Sequence, residues 1–363
     1  MIDTDPFSQS YAEARTKFLA AAEAAGLDVQ SHPHPMLGRD GEALAMDVVR
    51  DGPADAAAVL VLSSACHGVE GFCGSGVQVT LLGDAGLRAA AKAGGVALLY
   101  VHGLNPYGFS WWRRTTHENV DLNRNFQDFS QPLVRNTGYD AVAHLLVPAT
   151  WPPSPEVALA VDNYISQHGM KAWQAAVSGG QYHHPEGLFY GGHNPSWSQQ
   201  TLRQVLREQG RRCARLGWID FHTGLGPSGL GERIFACPDD AAALARAQAW
   251  WGGPDGRGVT SFYDGSSTSA PLKGLMWNAA GDECPQAEYT GIALEYGTLP
   301  IGQMLDALRA DQWVENHPDA PAAQRQAIKR QTRDAFYTDT PAWKQQVTEQ
   351  AVEAAWQAVA GLG

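Results

Sequence analysis

The chain has 363 residues, 44% of them hydrophobic and 18% charged, which excludes disorder as the default state. Its formal charge of −12 argues against a phosphate-backbone binder, which needs clustered Lys and Arg. Five cysteines, an odd number without framework spacing, point to free thiols and a reducing compartment. The N-terminus, MIDTDPFSQSYAEARTKF, has no basic stretch followed by an apolar run, and no segment approaches the ~20 apolar residues of a membrane span. A soluble, cytoplasmic protein is therefore expected, with neither nucleic acid nor membrane as partner and the oligomeric state open.

An amphipathic helix is expected over 8–25, then strands over 43–49 and 57–63, a helix over 76–93 and a buried strand over 96–101. That strand ends at HGLNPYG, a turn signal, and a long polar and aromatic loop runs on through Arg135. Helices follow over 154–168 and 198–216, a short strand over 217–221, and strands over 233–236 and 290–295. Further helices are expected over 240–251 and 301–310, with two more in the tail over 321–360. Strands alternating with helices predict an α/β fold: a mixed, mostly parallel central sheet with helices on both faces. One domain over 1–363 is expected, with an insertion over 138–196. In such sheets sites form at the carboxyl ends of strands.

Three strand ends carry chemistry. The segment AAAVLVLSSACHGVEGFCGSG ends an apolar strand in His67 and Glu70, an H-x-x-E spacing in which a turn lets both side chains converge on one ion. Zinc favours imidazole nitrogen and carboxylate oxygen, and Gly68 and Gly71 let the backbone bend close. The bland alternative is a loop histidine beside a solvated carboxylate. A second H-x-x-E, His183 to Glu186, lacks the preceding apolar strand. In LGWIDFHTGLG a short strand ends at His222, with Asp220 two residues earlier on the same face, placed to orient a ligand. In YTGIALEYGTLP a strand ends at Glu295, and an acid after an apolar run needs a partner or a function.

Between these lies HGLNPYGFSWWRRTTHENVDLNRNF, and here the sequence resembles the zinc carboxypeptidases, the M14-type metallopeptidase superfamily. The order H-x-x-E, NP-G turn, Arg after Trp, VD-NRNF, His, Glu is that family's. The resemblance spans about 57–300, and GQYHHPEGLFYGG is similar to its DUF2817 branch. It implies a carboxypeptidase-like fold and one zinc ion held by His67, Glu70 and His222, with Glu295 as general base. Arg113 is implied as the oxyanion arginine, with Arg114 its rival, and Asn123 and Arg124 as the grip on a substrate carboxylate. The mobile capping tyrosine has Tyr263 as its best counterpart, although Lys273 lies nearer the expected place. The interval from Arg124 to His222 is longer than in the digestive enzymes.

The implied activity is hydrolysis of an amide bond next to a free carboxylate, most simply by a metallocarboxypeptidase acting on peptides. A deacylase of small N-acyl amino acids shares the same metal and carboxylate grip. A non-catalytic binder on a peptidase fold needs neither Glu295 nor Arg113. Other signals are weaker. Gly224 to Gly229 spells G-x-G-x-x-G, but Pro227 follows where a helix should open. No G-x-S-x-G elbow occurs, His117-Glu118 lacks a second histidine for H-E-x-x-H, and Cys66 reads as a small buried residue.

Overall fold

In the computed structural model, which describes residues 5–253, 258–269 and 272–363, the chain opens on helix α1 (Tyr11–Ala24). Residues 1–4, the start of the segment read above for a secretory signal, lie outside the described residues. Ser10 caps α1 by accepting a hydrogen bond from the Glu13 backbone N–H, while Tyr11, Ala14, Phe18 and Ala22 form its buried stripe. Strands β1 (Val29–Leu37), β2 (Ala43–Asp51) and β3 (Ala58–Ser64) follow, then helices α2 (Gly71–Gly83) and α3 (Ala85–Ala93) and strand β4 (Val96–His102). The stretch expected as one helix over 76–93 is two, because the Asp84 side chain leaves the first and caps the second through Leu87 N–H.

The segment expected as an irregular loop contains two short helices, α4 (Pro106–Ser110) and α5 (Leu122–Asn125). The stretch read as an insertion folds as α6 (Thr137–Leu146), α7 (Pro155–His168) and α8 (Met170–Ser178). Then come α9 (Trp197–Gly210), β5 (Arg215–Ser228), β6 (Gly231–Phe235), α10 (Ala241–Trp251), β7 (Thr260–Ser261), α11 (Asn278–Glu283) and β8 (Glu288–Gly297). The tail is α12 (Ile301–Asn316), α13 (Ala322–Phe336) and α14 (Pro341–Leu362). Helix α9 stops at Gly210, short of the expected 216, because Arg215 already pairs into the sheet beside Ala58.

Eight strands form one mixed sheet in the order β1-β2-β4-β3-β5-β8-β6-β7. Its centre, β4-β3-β5-β8, is parallel, and every residue of β3 and β4 is buried. Continuous apolar runs such as AVLVL and VALLYV are what a strand covered on both faces requires. Pairs β1-β2, β2-β4 and β8-β6 are antiparallel. Side chains from α2, α10 and α14 lie against the face that carries Gly217 and Phe221. By the alternation of a strand, Trp218, Asp220 and His222 point to the other face. Buried apolar side chains from Phe7 to Leu362 form one continuous core. All five cysteines are buried free thiols. Among the described residues, no helix is long and apolar enough to cross a membrane.

Candidate metal centre

Strands β3, β5 and β8 are neighbours and run parallel, so their carboxyl ends open on one edge of the sheet. The chain leaves β3 through Ala65, Cys66 and His67, makes a single 3₁₀ turn over Gly68–Glu70 and enters α2. That turn is packed hard against α4. A Cβ on Gly68 would sit 2.1 Å from the Gly108 carbonyl carbon, and one on Gly108 would sit 2.6 Å from Asn105 Nδ2. Only glycine at both places permits the approach. Asn105 caps α4 by accepting from Gly108 N–H at 2.9 Å, which is the work of the NP-G turn. The 113–114 stretch is clamped to the same turn, since Gly68 N–H donates to Arg114 O and Val69 N–H to Arg113 O.

His67 Nδ1 lies 2.8 Å from Glu70 Oε1, and His222 Nδ1 lies 2.8 Å from Glu70 Oε2. The three side chains offer donor atoms all within 4.8 Å of one another. His67 is 5%, Glu70 2% and His222 2% exposed, so water competes little for these atoms. Both imidazoles turn the same nitrogen inward, and each outer nitrogen has its own partner. His222 Nε2 lies 2.5 Å from Asp220 Oδ2, and Ser63 Oγ donates to the other Asp220 oxygen. His67 Nε2 lies 3.3 Å from Asp121 Oδ1 and 2.7 Å from Arg114 Nη2. Carboxylates behind ligating histidines fix ring orientation and tautomer. A two-imidazole, one-carboxylate set with both outer nitrogens held in this way fits a zinc ion.

The electrostatics follow from burial and neighbours. Burial alone would raise Glu70, but the His67 and His222 charges beside it hold its carboxyl far below the usual range. Burial likewise works against His222, yet Asp220 and Glu70 hold its proton well above the ordinary histidine value. Glu295 goes the other way. Burial first, and then the Glu70 charge, push its carboxyl up to about 8. Glu295 stands directly across from His222 in the β5-β8 register and is 9% exposed, and its Oε1 accepts from Leu225 N–H at 3.0 Å. A second donor group, Cys66, Asp220 and His222, shares His222, but burial pushes the Cys66 thiol well up, against the thiolate a metal needs.

Arg113 and Arg114 part company. Arg113 points to α12, with Nε 3.4 Å from Asp311 and Nη1 3.5 Å from Glu315, and it donates to Asn119 Oδ1. It does not reach the metal centre, which corrects its expected oxyanion role. Arg114 does reach it: Nε donates to Asp121 at 2.9 Å and Nη1 lies 3.5 Å from Glu70. Asn123 Oδ1 accepts from Met276 N–H, and Arg124 is buried, donating to Asn123 O and Ser178 O while its Nε has no partner among the described residues. Tyr263 is half-exposed beside Phe235, and its hydroxyl donates to Cys237 O. No contact joins it to the cluster, so the expected capping place is not filled by Tyr263. His183 and His184 hang on Gln181 Oε1 through their backbone N–H groups, and His184 Nε2 lies 2.8 Å from Asp140, away from the metal side chains.

Asp121 was not singled out from sequence, yet it is fully buried and joins His67, Arg114 and the Asn123 N–H. The usable signal was an acid between apolar Val120 and Leu122. Burial works against its charge, but Arg114 and Arg124 hold it well below the usual range.

A family model described as "Protein of unknown function (DUF2817)" matches residues 7–350. The chain belongs to the DUF2817 family. A search of curated proteins returned no match for this DUF2817 chain. Among solved structures it is similar to bovine thrombin-activatable fibrinolysis inhibitor in complex with tick carboxypeptidase inhibitor, at 12% identity and a TM-score of 0.46, covering 98% of each chain. It is similar to a metallo-carboxypeptidase from Burkholderia cenocepacia at 12% identity and a TM-score of 0.43, covering 97% of this chain and 68% of that one. It is also similar to an aspartoacylase family protein from Mesorhizobium loti at 14% identity and a TM-score of 0.38, covering 85% and 67%.

Proposed function

We propose that this DUF2817 protein is a zinc-dependent hydrolase that cleaves an amide bond next to a free carboxylate, acting on peptides as a carboxypeptidase. One observation carries the reading: the donor atoms of His67, Glu70 and His222 converge within 4.8 Å, with Glu295 on the adjoining strand. Zinc bound there would supply Lewis acidity toward a carbonyl oxygen and lower the pKa of water at an open position.

The chain's own side chains do the rest. Glu295 takes the proton of the attacking water and hands it to the leaving amine. A carboxyl already raised by burial and Glu70 is a willing proton carrier. Arg114 takes the oxyanion role in place of Arg113. With the inner nitrogen of His67 committed to a cation, its proton sits on Nε2 and points at Asp121. The Arg114 Nη2 now 2.7 Å from that nitrogen then loses its acceptor and is free to serve a developing oxyanion. Arg124, its guanidinium fixed by two carbonyls with Nε unpartnered, grips the substrate carboxylate with Asn123. A buried donor without a partner costs about 1–3 kcal/mol, so a ligand group in that place explains it.

A deacylase acting on N-acyl amino acids is the second reading, favoured by the low exposure of all four central side chains, which suits a small substrate. The test measures zinc by elemental analysis and turnover of blocked dipeptides against N-acyl amino acids, with and without a chelator. Chelator-sensitive turnover with about one zinc per chain is expected. Undiminished turnover by Glu295→Gln would remove the mechanism.

A further inference from the structure

The metal centre is roofed by a segment to which no role has been given. Phe189, on the turn between α8 and α9, borders a narrow enclosed cavity together with Arg114, Leu308 and Gln312. Its ring is 8% exposed and touches both functional arginines: Arg114 Cζ lies 5.3 Å and Arg124 Cζ 5.6 Å from its centroid. Phe189 also has φ +54°, the left-handed region that a bulky side chain enters only under strain.

The backbone around it is tied down on every side. Gly187 O accepts from Asn119 Nδ2, Leu188 O from Gln181 Nε2, Phe189 O from Gln181 N–H, Tyr190 O from Asp121 N–H and Gly191 O from Asn125 Nδ2. Two of those donors, Asp121 and Asn125, flank Asn123 and Arg124 in the VDLNRNF segment. The turn is thus a fixed wall built on the same segment that grips the carboxylate. It holds one ring in a strained conformation between two cations.

We propose that Phe189 is the specificity-determining wall of the substrate site, selecting an apolar or aromatic side chain on the residue that bears the free carboxylate. This rests on the roles given above to Arg114 and Arg124. A residue with its scissile carbonyl at Arg114 and its carboxylate at Arg124 spans about one Cα step, ~3.8 Å. It therefore crosses the ring that touches both guanidiniums. A flat apolar face there rewards an apolar side chain and offers nothing to a charged one.

The experiment uses zinc-loaded, full-length Glu295→Gln protein, titrated calorimetrically with N-acetylphenylalanine and N-acetylalanine. Phe189→Ala in that background is expected to weaken N-acetylphenylalanine about tenfold and N-acetylalanine less than about threefold, with Phe189→Tyr retaining the preference. In the active enzyme the same change appears in KM more than in kcat. Equal weakening of both ligands, or none, overturns the proposal. Should Phe189→Ala not fold, Phe189→Gly removes the ring and relieves the positive φ, and is judged by the same ratio. Zinc bound and both ligands bound, with an unmoved ratio, sinks this inference alone. No zinc, or no binding of either ligand, sinks it together with the proposed function.

Discussion

Two buried charge clusters lie side by side, each begun by one of two consecutive arginines. In the first, Arg113 and Lys329 face Asp311 and Glu315, with Lys329 Nζ 2.6 Å from Asp311 and 2.7 Å from Glu315. Every anion there has a cation, and the cluster does no more than tie the 113–114 stretch to α12 and α13. In the second, Arg114 shares Asp121 with His67, while His67, Glu70 and His222 turn their donor atoms to one point. Glu295 beside them accepts only a backbone N–H in the described contacts. Buried charge alone therefore marks nothing. What separates a brace from a reactive site is donor atoms left converging and an acid held without a cation.

The comparison breaks first at Glu295. Glu295→Gln is expected to lower kcat about 10³-fold, the usual scale of general acid–base loss, with zinc retained. Steady-state kinetics and metal content on one preparation check it. The arginine pair comes next. Arg114→Ala is expected to lower kcat about 10²–10³-fold, the scale of losing an oxyanion donor. Arg113→Ala is expected to keep kcat within about threefold, because its carboxylates lie outside the site, yet to destabilise the fold by about 3 kcal/mol as a broken buried pair. Denaturant midpoints beside kcat separate the two, and an inactive but stable Arg113→Ala would reverse the assignment. A smaller effect belongs to Asp220. Asp220→Asn keeps the shape behind His222 and removes the charge, and about 10–100-fold weaker zinc binding is expected in a chelator competition.

The arginines also show where sequence reading stops. An apolar run ending in His67, His222 or Glu295 states its strand and its end, and parallel β3, β5 and β8 bring those ends together. Which of two adjacent arginines turns inward is decided by Trp112, with φ +55°, and by the clamp of carbonyls 113 and 114 on the 68–69 amides. Neither is visible in residue types. Strand β1 was missed because Pro33, Pro35 and three polar residues hide its alternation, which an edge strand tolerates. Phe189 was passed over because its meaning lies in two cations more than 60 positions away in the chain.

A third buried group sharpens the contrast, since there burial meets too little compensating charge. His102, at the end of β4, is fully buried, stacks on Phe18 at 4.3 Å and lies 2.9 Å from Ser75 Oγ, while its Nδ1 has no partner among the described residues. Burial lowers its pKa to about 4; Asp47 opposes this, but Asp47 is already paired with Arg15. The folded protein thus holds His102 neutral, whereas the unfolded chain protonates it near the usual ~6.5. Between those values the unfolded state binds more protons, so stability is full above about 6.5 and is lost as pH falls toward 4. From pH 7 to 5 this one group should cost about 2 kcal/mol. His102→Gln retains an amide to meet Ser75 and cannot titrate. Urea unfolding at both pH values should therefore show a shallower loss in the variant by about that amount. Equal slopes would mean that Asp47 compensates the buried imidazolium after all, and that His102 is a closed pair like Arg113 and Asp311.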